Sequence, residues 1–161
     1  MSRISPRQII FLIFCIFIPL IIGVIGSFFT VSSISEWYVT LVKPWFNPPN
    51  WVFGPAWTIL YILMGISLWM VIKDGISSDN VRKGVIIFGA QLLVNLLWSI
   101  VFFGMRSPLG AFVTILILLG LIVLTIRSFR IVSPQASYLL YPYFCWTMFA
   151  TLLNAMIVVL N

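Results

Sequence analysis

Charged residues cut this chain into long uncharged stretches, 8–35, 44–72, 84–105, 107–126 and 131–161. Each reaches the roughly 20 residues that a helix needs to cross a bilayer. None shows the alternating, ~10-residue segments of a transmembrane β-strand. A helix satisfies its own backbone hydrogen bonds in lipid, so the pattern predicts membrane-spanning helices. The first runs from about Gln8 to about Phe29, and the Ser/Glu segment Ser32–Glu36 ends it. Pro19 is expected to kink it, and Gly23 and Gly26 to let a neighbour pack closely. Its apolar run exceeds a signal-peptide core and lacks an Ala-x-Ala-like cleavage site, so it is expected to be retained. The second begins near Trp51 or Pro55 and ends near Lys73, where Asp74-Gly75 makes a turn. The third covers about Val81 to Phe103, with Gly104 as its stop. Ser107-Pro108 opens the fourth, which ends near Arg130. Ser133-Pro134 opens the fifth, and Pro142 within it marks a kink or the level at which the span meets the membrane. Short connections after the second span predict that consecutive helices are antiparallel neighbours. The expected fold is an all-α integral membrane protein, one five-helix transmembrane bundle over residues 1–161, with no repeat or second domain.

The stretch from Trp37 to Trp57 breaks this pattern. Four of the nine prolines and four of the seven tryptophans fall within it. Each proline lacks an N–H and pushes its predecessor away from helical geometry, so 37–50 should be a stiff, irregular connection. Tryptophan favours the membrane–water boundary. The loop therefore lies at the mouth of the bundle, either as an anchor or as part of a ligand site.

Composition fixes the solvent. The chain is 62% hydrophobic and 7% charged with mean hydropathy +1.18, against about 25% charged residues in a soluble domain. It cannot cover a globular surface with polar groups, so the lipid bilayer is its surroundings. The net charge of +6 does not suggest nucleic acid as a partner, because the basic residues are scattered and form no patch. Arg3, Arg7, Lys73, Arg82, Lys83, Arg127 and Arg130 fall on one side of the predicted bundle, and only Lys43 and Arg106 on the other. The bias places the N-terminus in the cytoplasm and the Trp-rich loop outside.

Chemistry is narrowed further. There is no His, the only acids are Glu36, Asp74 and Asp79, and Cys15 and Cys145 lie in apolar runs as small buried hydrophobes. No metal site and no cofactor are expected. No Gly-x-Ser-x-Gly motif or phosphate loop occurs, so binding is favoured over catalysis. No acid or base lies inside a span to relay protons or pair with an ion, and no inverted repeat points to an energised transporter.

The informative residues are polar or aromatic ones at membrane depth. Trp57, Tyr61, Met64 and Leu68 share one face of the second span; Gln91, Asn95, Trp98 and Phe102 share one face of the third; Trp146, Phe149, Ala150, Leu153 and Asn154 do so in the fifth. A buried Asn, Gln or Tyr needs a partner, so these faces point inward. Two readings fit. The amides are interhelical glue and the tryptophans packing, or the faces line an apolar cavity with a few polar tips, suited to a flat ligand such as a tetrapyrrole or sterol.

The sequence resembles the translocator protein family, also known as the tryptophan-rich sensory protein or peripheral benzodiazepine receptor family. The resemblance rests on Trp37-Tyr38, Lys43-Pro44, Pro48-Pro49, Trp51, Pro55, Trp57, Leu60-Tyr61, Met64-Gly65 and Trp69. It continues through Gln91-Leu92, Asn95, Trp98, Phe102-Phe103-Gly104 and Arg106 to Pro142-Tyr143, Trp146, Phe149-Ala150-Thr151 and Leu153-Asn154. It implies a five-helix bundle, usually a homodimer, with a ligand cavity opening toward the loop between the first two spans. It also implies binding of porphyrins such as protoporphyrin IX and haem, of cholesterol in animal members, and of benzodiazepine-type ligands. Tyr38, Trp57, Asn95, Trp146 and Ala150 match positions resembling cavity-lining ones in the family; Tyr61, Trp98 and Leu153 share their faces. An alternative implied by some bacterial members is light- and oxygen-dependent porphyrin breakdown involving Trp57 and Trp146. Ala150–Asn161 has no Tyr, Lys or Arg, so the cholesterol-recognition pattern of animal members is missing, and Thr114 stands where many relatives carry an acid. The resemblance together with these departures suggests a prokaryotic plasma membrane.

Overall fold

The computed structural model describes residues 5–161; Arg3 lies outside them. Among the described residues there is no strand, and the chain folds into helices α1 (Pro6–Glu36), α2 (Asn50–Ile72), α3 (Asp79–Ser99), α4 (Pro108–Val132), α5 (Pro134–Tyr138) and α6 (Tyr141–Leu160). With α5 and α6 taken as one interrupted span, five helices are long and apolar enough to cross a membrane.

Helix α1 starts earlier and ends later than expected. Ser5 caps it: its hydroxyl accepts from the Gln8 N–H at 3.3 Å while Gln8 Oε1 accepts from the Ser5 N–H at 3.0 Å. At the other end the Ser/Glu segment stays helical. Its hydroxyls find acceptors without leaving the helix, Thr30 donating to the Gly26 carbonyl at 3.0 Å and Ser35 to Ser32 at 3.2 Å. Ser33 reaches further, donating to the Phe103 carbonyl of the α3 end at 2.6 Å. The helix continues through Pro19, which is buried.

The order of helices around the bundle also departs from the chain order. The backbones of α2 and α3 come close at few points; α1 packs along both, α3 packs on α4, and α4 on α6. Glycines draw α1 between its neighbours. A Cβ at Gly65 of α2 would run into the Cys15 and Ile16 backbone, and one at Gly26 of α1 would press on Ser99 of α3 at 3.3 Å. Gly84 of α3 lies against the Phe129 ring of α4, 3.2 Å from an added Cβ, whereas Gly89 faces open space. Inside the ring, Phe88 and Phe129 stack at 5.6 Å between centroids.

Two span ends depart from plain α-helix. After Ser99 the chain widens into a π turn, Ile100–Gly104, closed by the Met105 N–H donating to the Ile100 carbonyl at 2.8 Å. Arg106 then adopts a left-handed φ of 52°, turning the chain into Ser107, which caps α4 by accepting from the Gly110 N–H at 3.2 Å. In the last span the break falls at Leu139–Leu140, just before Pro142. That proline sits in the first turn of α6, where its missing N–H leaves no helical bond unmade. The two cysteines differ: Cys15 is buried, but Cys145 is exposed on the outside of the bundle, because the inward face of α6 is held by Tyr143, Thr147 and Ala150.

Between α1 and α2 the Trp-rich connection forms one short 3-10 turn, Tyr38–Thr40, followed by turns up to Pro49. It is tied down at both flanks. The Tyr38 hydroxyl donates to Asn47 Oδ1 at 2.8 Å, and the Asn161 amide accepts from the Val42 N–H at 3.0 Å and donates to its carbonyl at 3.1 Å.

Candidate functional site

On the loop side of the bundle, α1, α2, α3 and α6 surround a cavity of about 530 Å³, within the range of about 300–1,000 Å³ typical of small-molecule sites. Trp57, Tyr61 and Phe53 of α2 form one wall; Trp98, Phe102 and Phe103 form a second; Ala150, Leu153 and Ile157 of α6 form a third. Tyr38 closes the end nearest the loop. Polar tips are few: the hydroxyls of Ser27, Thr30, Thr58 and Ser99, the Asn50 amide and the Trp57 indole. Ser27, Thr30 and Thr58 already donate to carbonyls of their own helices. Among the described residues, no Lys, Arg, Asp or Glu lines the cavity. Its surface is therefore aromatic and uncharged, suited to a flat apolar body.

The rings are held in place from behind. Trp57 stacks on Tyr61 at 5.5 Å and meets Tyr143 edge-on at 6.1 Å. Tyr61 packs against Gly23, where any larger residue would strike its ring. A buried chain of hydrogen bonds then runs across the bundle. Tyr61 donates to Asn95 Oδ1 at 2.8 Å, Asn95 Nδ2 to the Tyr143 oxygen at 3.2 Å, and Tyr143 to Gln91 Oε1 at 2.9 Å; Gln91 Nε2 ends on the Met64 sulfur at 3.7 Å. Trp98 donates to Asn154 Oδ1 at 3.2 Å, and Asn154 Nδ2 donates to the Pro108 carbonyl at 2.8 Å, joining α3, α6 and the start of α4. The π turn brings two successive rings, Phe102 and Phe103, onto the wall, with Phe102 stacked on Trp98 at 5.5 Å.

The expected set of lining residues divides. Tyr38, Trp57, Tyr61, Trp98, Ala150 and Leu153 line the cavity. Asn95 does not; it lies behind the wall, buried, as the partner of Tyr61 and Tyr143. Trp146 does not either. Its ring turns toward α2, edge-on to Phe53 at 6.1 Å and beside Phe149 at 5.7 Å, with its N–H buried and unpartnered. The face shared by helical spacing is too broad to separate Trp146 from Ala150. The whole α1 wall went unread: Leu20, Gly23, Val24, Gly26, Ser27, Thr30, Val31 and Ile34. Its signal was present as small residues at Gly23, Gly26, Ser27 and Thr30, one helical face left free of bulk.

Both cations on the loop side are engaged. Arg106 pairs with Glu36 at 3.3 Å, and Lys43 sits over the Tyr38 ring at 4.9 Å while donating to the Leu41 carbonyl at 3.0 Å. Burial lifts the Tyr38 phenol above its ordinary range, opposed by its bond to Asn47. It therefore remains a protonated donor at neutral pH.

Comparison with known proteins agrees with this architecture. The chain is 49% identical over 155 residues to the tryptophan-rich protein TspO of Chlorobaculum tepidum, covering 96% of this chain and 98% of that one. It is 45% identical over 154 residues to the protein of the same name from Archaeoglobus fulgidus, at 96% and 99% coverage. The human translocator protein matches at 37% over 131 residues, covering 81% and 78%. The TspO/MBR family profile matches residues 15–160. Five membrane-length helices and matches of this extent make the chain an integral, multi-pass membrane protein that belongs to the TspO/MBR family.

Proposed function

We propose that the protein is a membrane receptor that binds a porphyrin, or a related flat apolar molecule, in the cavity between α1, α2, α3 and α6. One observation carries the reading: a hollow of about 530 Å³ with aromatic rings from α2, the end of α3 and Tyr38 in its wall and, among the described residues, no charged one. The macrocycle stacks on Trp57, whose indole N–H offers a donor. The receptor part of the reading is supported by the name of one relative, a tryptophan-rich sensory protein of Cereibacter sphaeroides, 37% identical over 119 residues. The alternative of light-driven porphyrin breakdown has no observation of its own: of the two tryptophans it would use, Trp57 lines the cavity, while Trp146 packs on the wall residue Phe53 and is not itself a lining residue.

Titration of the purified protein with protoporphyrin IX tests the reading. Tryptophan fluorescence should be quenched saturably at micromolar ligand. Trp57→Phe keeps a ring but loses indole area and the N–H, so binding should weaken roughly three- to tenfold, equivalent to about 0.5–1.5 kcal/mol. Absence of saturable quenching in the unaltered protein would refute it.

The proposal extends to orientation and location. Of the described basic residues, Arg7, Lys73, Arg82, Lys83, Arg127 and Arg130 lie at one end of the bundle, and the two at the other end are held by Glu36 and by Tyr38 with the Leu41 carbonyl. This supports a cytoplasmic N-terminus, and the bacterial and archaeal relatives support a prokaryotic plasma membrane.

A further inference from the structure

We infer that the ligand reaches the cavity sideways, out of the bilayer, through a gap between α1 and α2. The molecules it takes are then those that partition into membrane. This inference rests on the binding role proposed above.

Away from the loop, α1 and α2 are sealed together. Gly65 lies against the Cys15–Ile16 backbone, and Tyr61 fills the space beside Gly23. Closer to the loop the cavity itself separates the two helices. Its lips face outward: Val24 and Val31 of α1 and Trp51 of α2 line the cavity yet are 57%, 69% and 73% exposed. Their outward-facing neighbours Phe28 and Ile59 are apolar, as a lipid-facing surface requires. From Val24 to Val31 the opening spans roughly 10 Å along the helix axis, at 1.5 Å per residue, within a span of membrane length. Gly54 on the α2 lip has no atom within 4 Å of where a Cβ would sit, so this position leaves the passage clear.

The route from water is the more obstructed one. Tyr38 is the loop's contribution to the wall; it is buried and its hydroxyl is bonded to Asn47. Trp37 packs edge-on against Phe102 at 5.6 Å, and Asn161 holds both backbone groups of Val42. A ligand arriving through the loop would have to break these ties, whereas one arriving from lipid breaks none of them.

Stopped-flow quenching by protoporphyrin IX, with the full chain in phospholipid nanodiscs, tests the route. Gly54→Phe and Val31→Phe place a ring at each lip, while Asn161→Ala frees the loop. Each lip variant should slow both association and release about tenfold, a barrier change of about 1.4 kcal/mol, because the added ring stands in the passage in either direction. Asn161→Ala should leave both rates unchanged. Wild-type rates in both lip variants would overturn the inference. So would faster association in Asn161→Ala. In each of those cases saturable binding by the unaltered protein leaves the proposed receptor role standing; its absence removes both.

Discussion

One carboxamide serves two phenols. Asn95 accepts from Tyr61 and donates to Tyr143, so residues from three helices depend on a side chain that does not touch the cavity. Interhelical hydrogen bonds in membrane proteins contribute about 0.6 kcal/mol on average, but a buried partner left unpaired costs about 1–3 kcal/mol. Asn95→Leu removes partners from both tyrosines and should lower thermal stability in detergent more than Tyr61→Phe, which strands only the Asn95 carbonyl. Equal losses would mean that the chain of bonds is not coupled. At this scale the sequence was half legible. Spacing put Tyr61 and Asn95 on inward faces, and burial in lipid demanded partners for them. That they would choose each other, leaving Asn95 behind the wall, depends on how α2 and α3 rotate, which a single helix face does not encode. Trp146 shows the same gap: its side of α6 was readable, but not its turn toward Phe53.

Between elements, glycines decide which helices meet. Gly65 brings α1 onto α2, so Gly65→Ala must push the Cys15–Ile16 backbone away, whereas Gly54→Ala enters open space. Gly65→Ala should reduce the melting temperature by several degrees, consistent with the 1–3 kcal/mol typical of overpacking, and Gly54→Ala should leave it unchanged or slightly raised. A neutral Gly65→Ala would contradict the sealed α1–α2 contact on which the lateral route depends. The five spans themselves were legible because charges and prolines mark their ends. The neighbour order was legible for α3 with α4 and α4 with α6, which pair in sequence as short loops suggest, but not for α2 and α3, because close approach at Gly26 and Gly65 inserts α1 between them. The extension of α1 through Ser32–Glu36 was hidden for a related reason: serine reads as a helix stop until its hydroxyl is seen bonded to a carbonyl of the preceding turn, or, for Ser33, to the end of α3.

For the whole molecule, the proposed orientation rests on charge and the proposed function on the aromatic hollow. Reporter fusions at residue 76, in the α2–α3 connection, and at residue 45, in the Trp-rich connection, should read cytoplasmic and external respectively; the reverse would invert the bundle. The hollow carries the larger claim. Its existence was suggested by three inward faces of mixed aromatic and amide character, while its fourth wall came from α1, whose small residues announce themselves only as an absence of bulk. The most direct test is an experimental structure of the protein saturated with protoporphyrin IX in a lipid environment. The macrocycle should lie between α1, α2, α3 and α6, stacked on Trp57. A macrocycle bound on the outer surface of the bundle, with the cavity closed by its own side chains, would contradict the account.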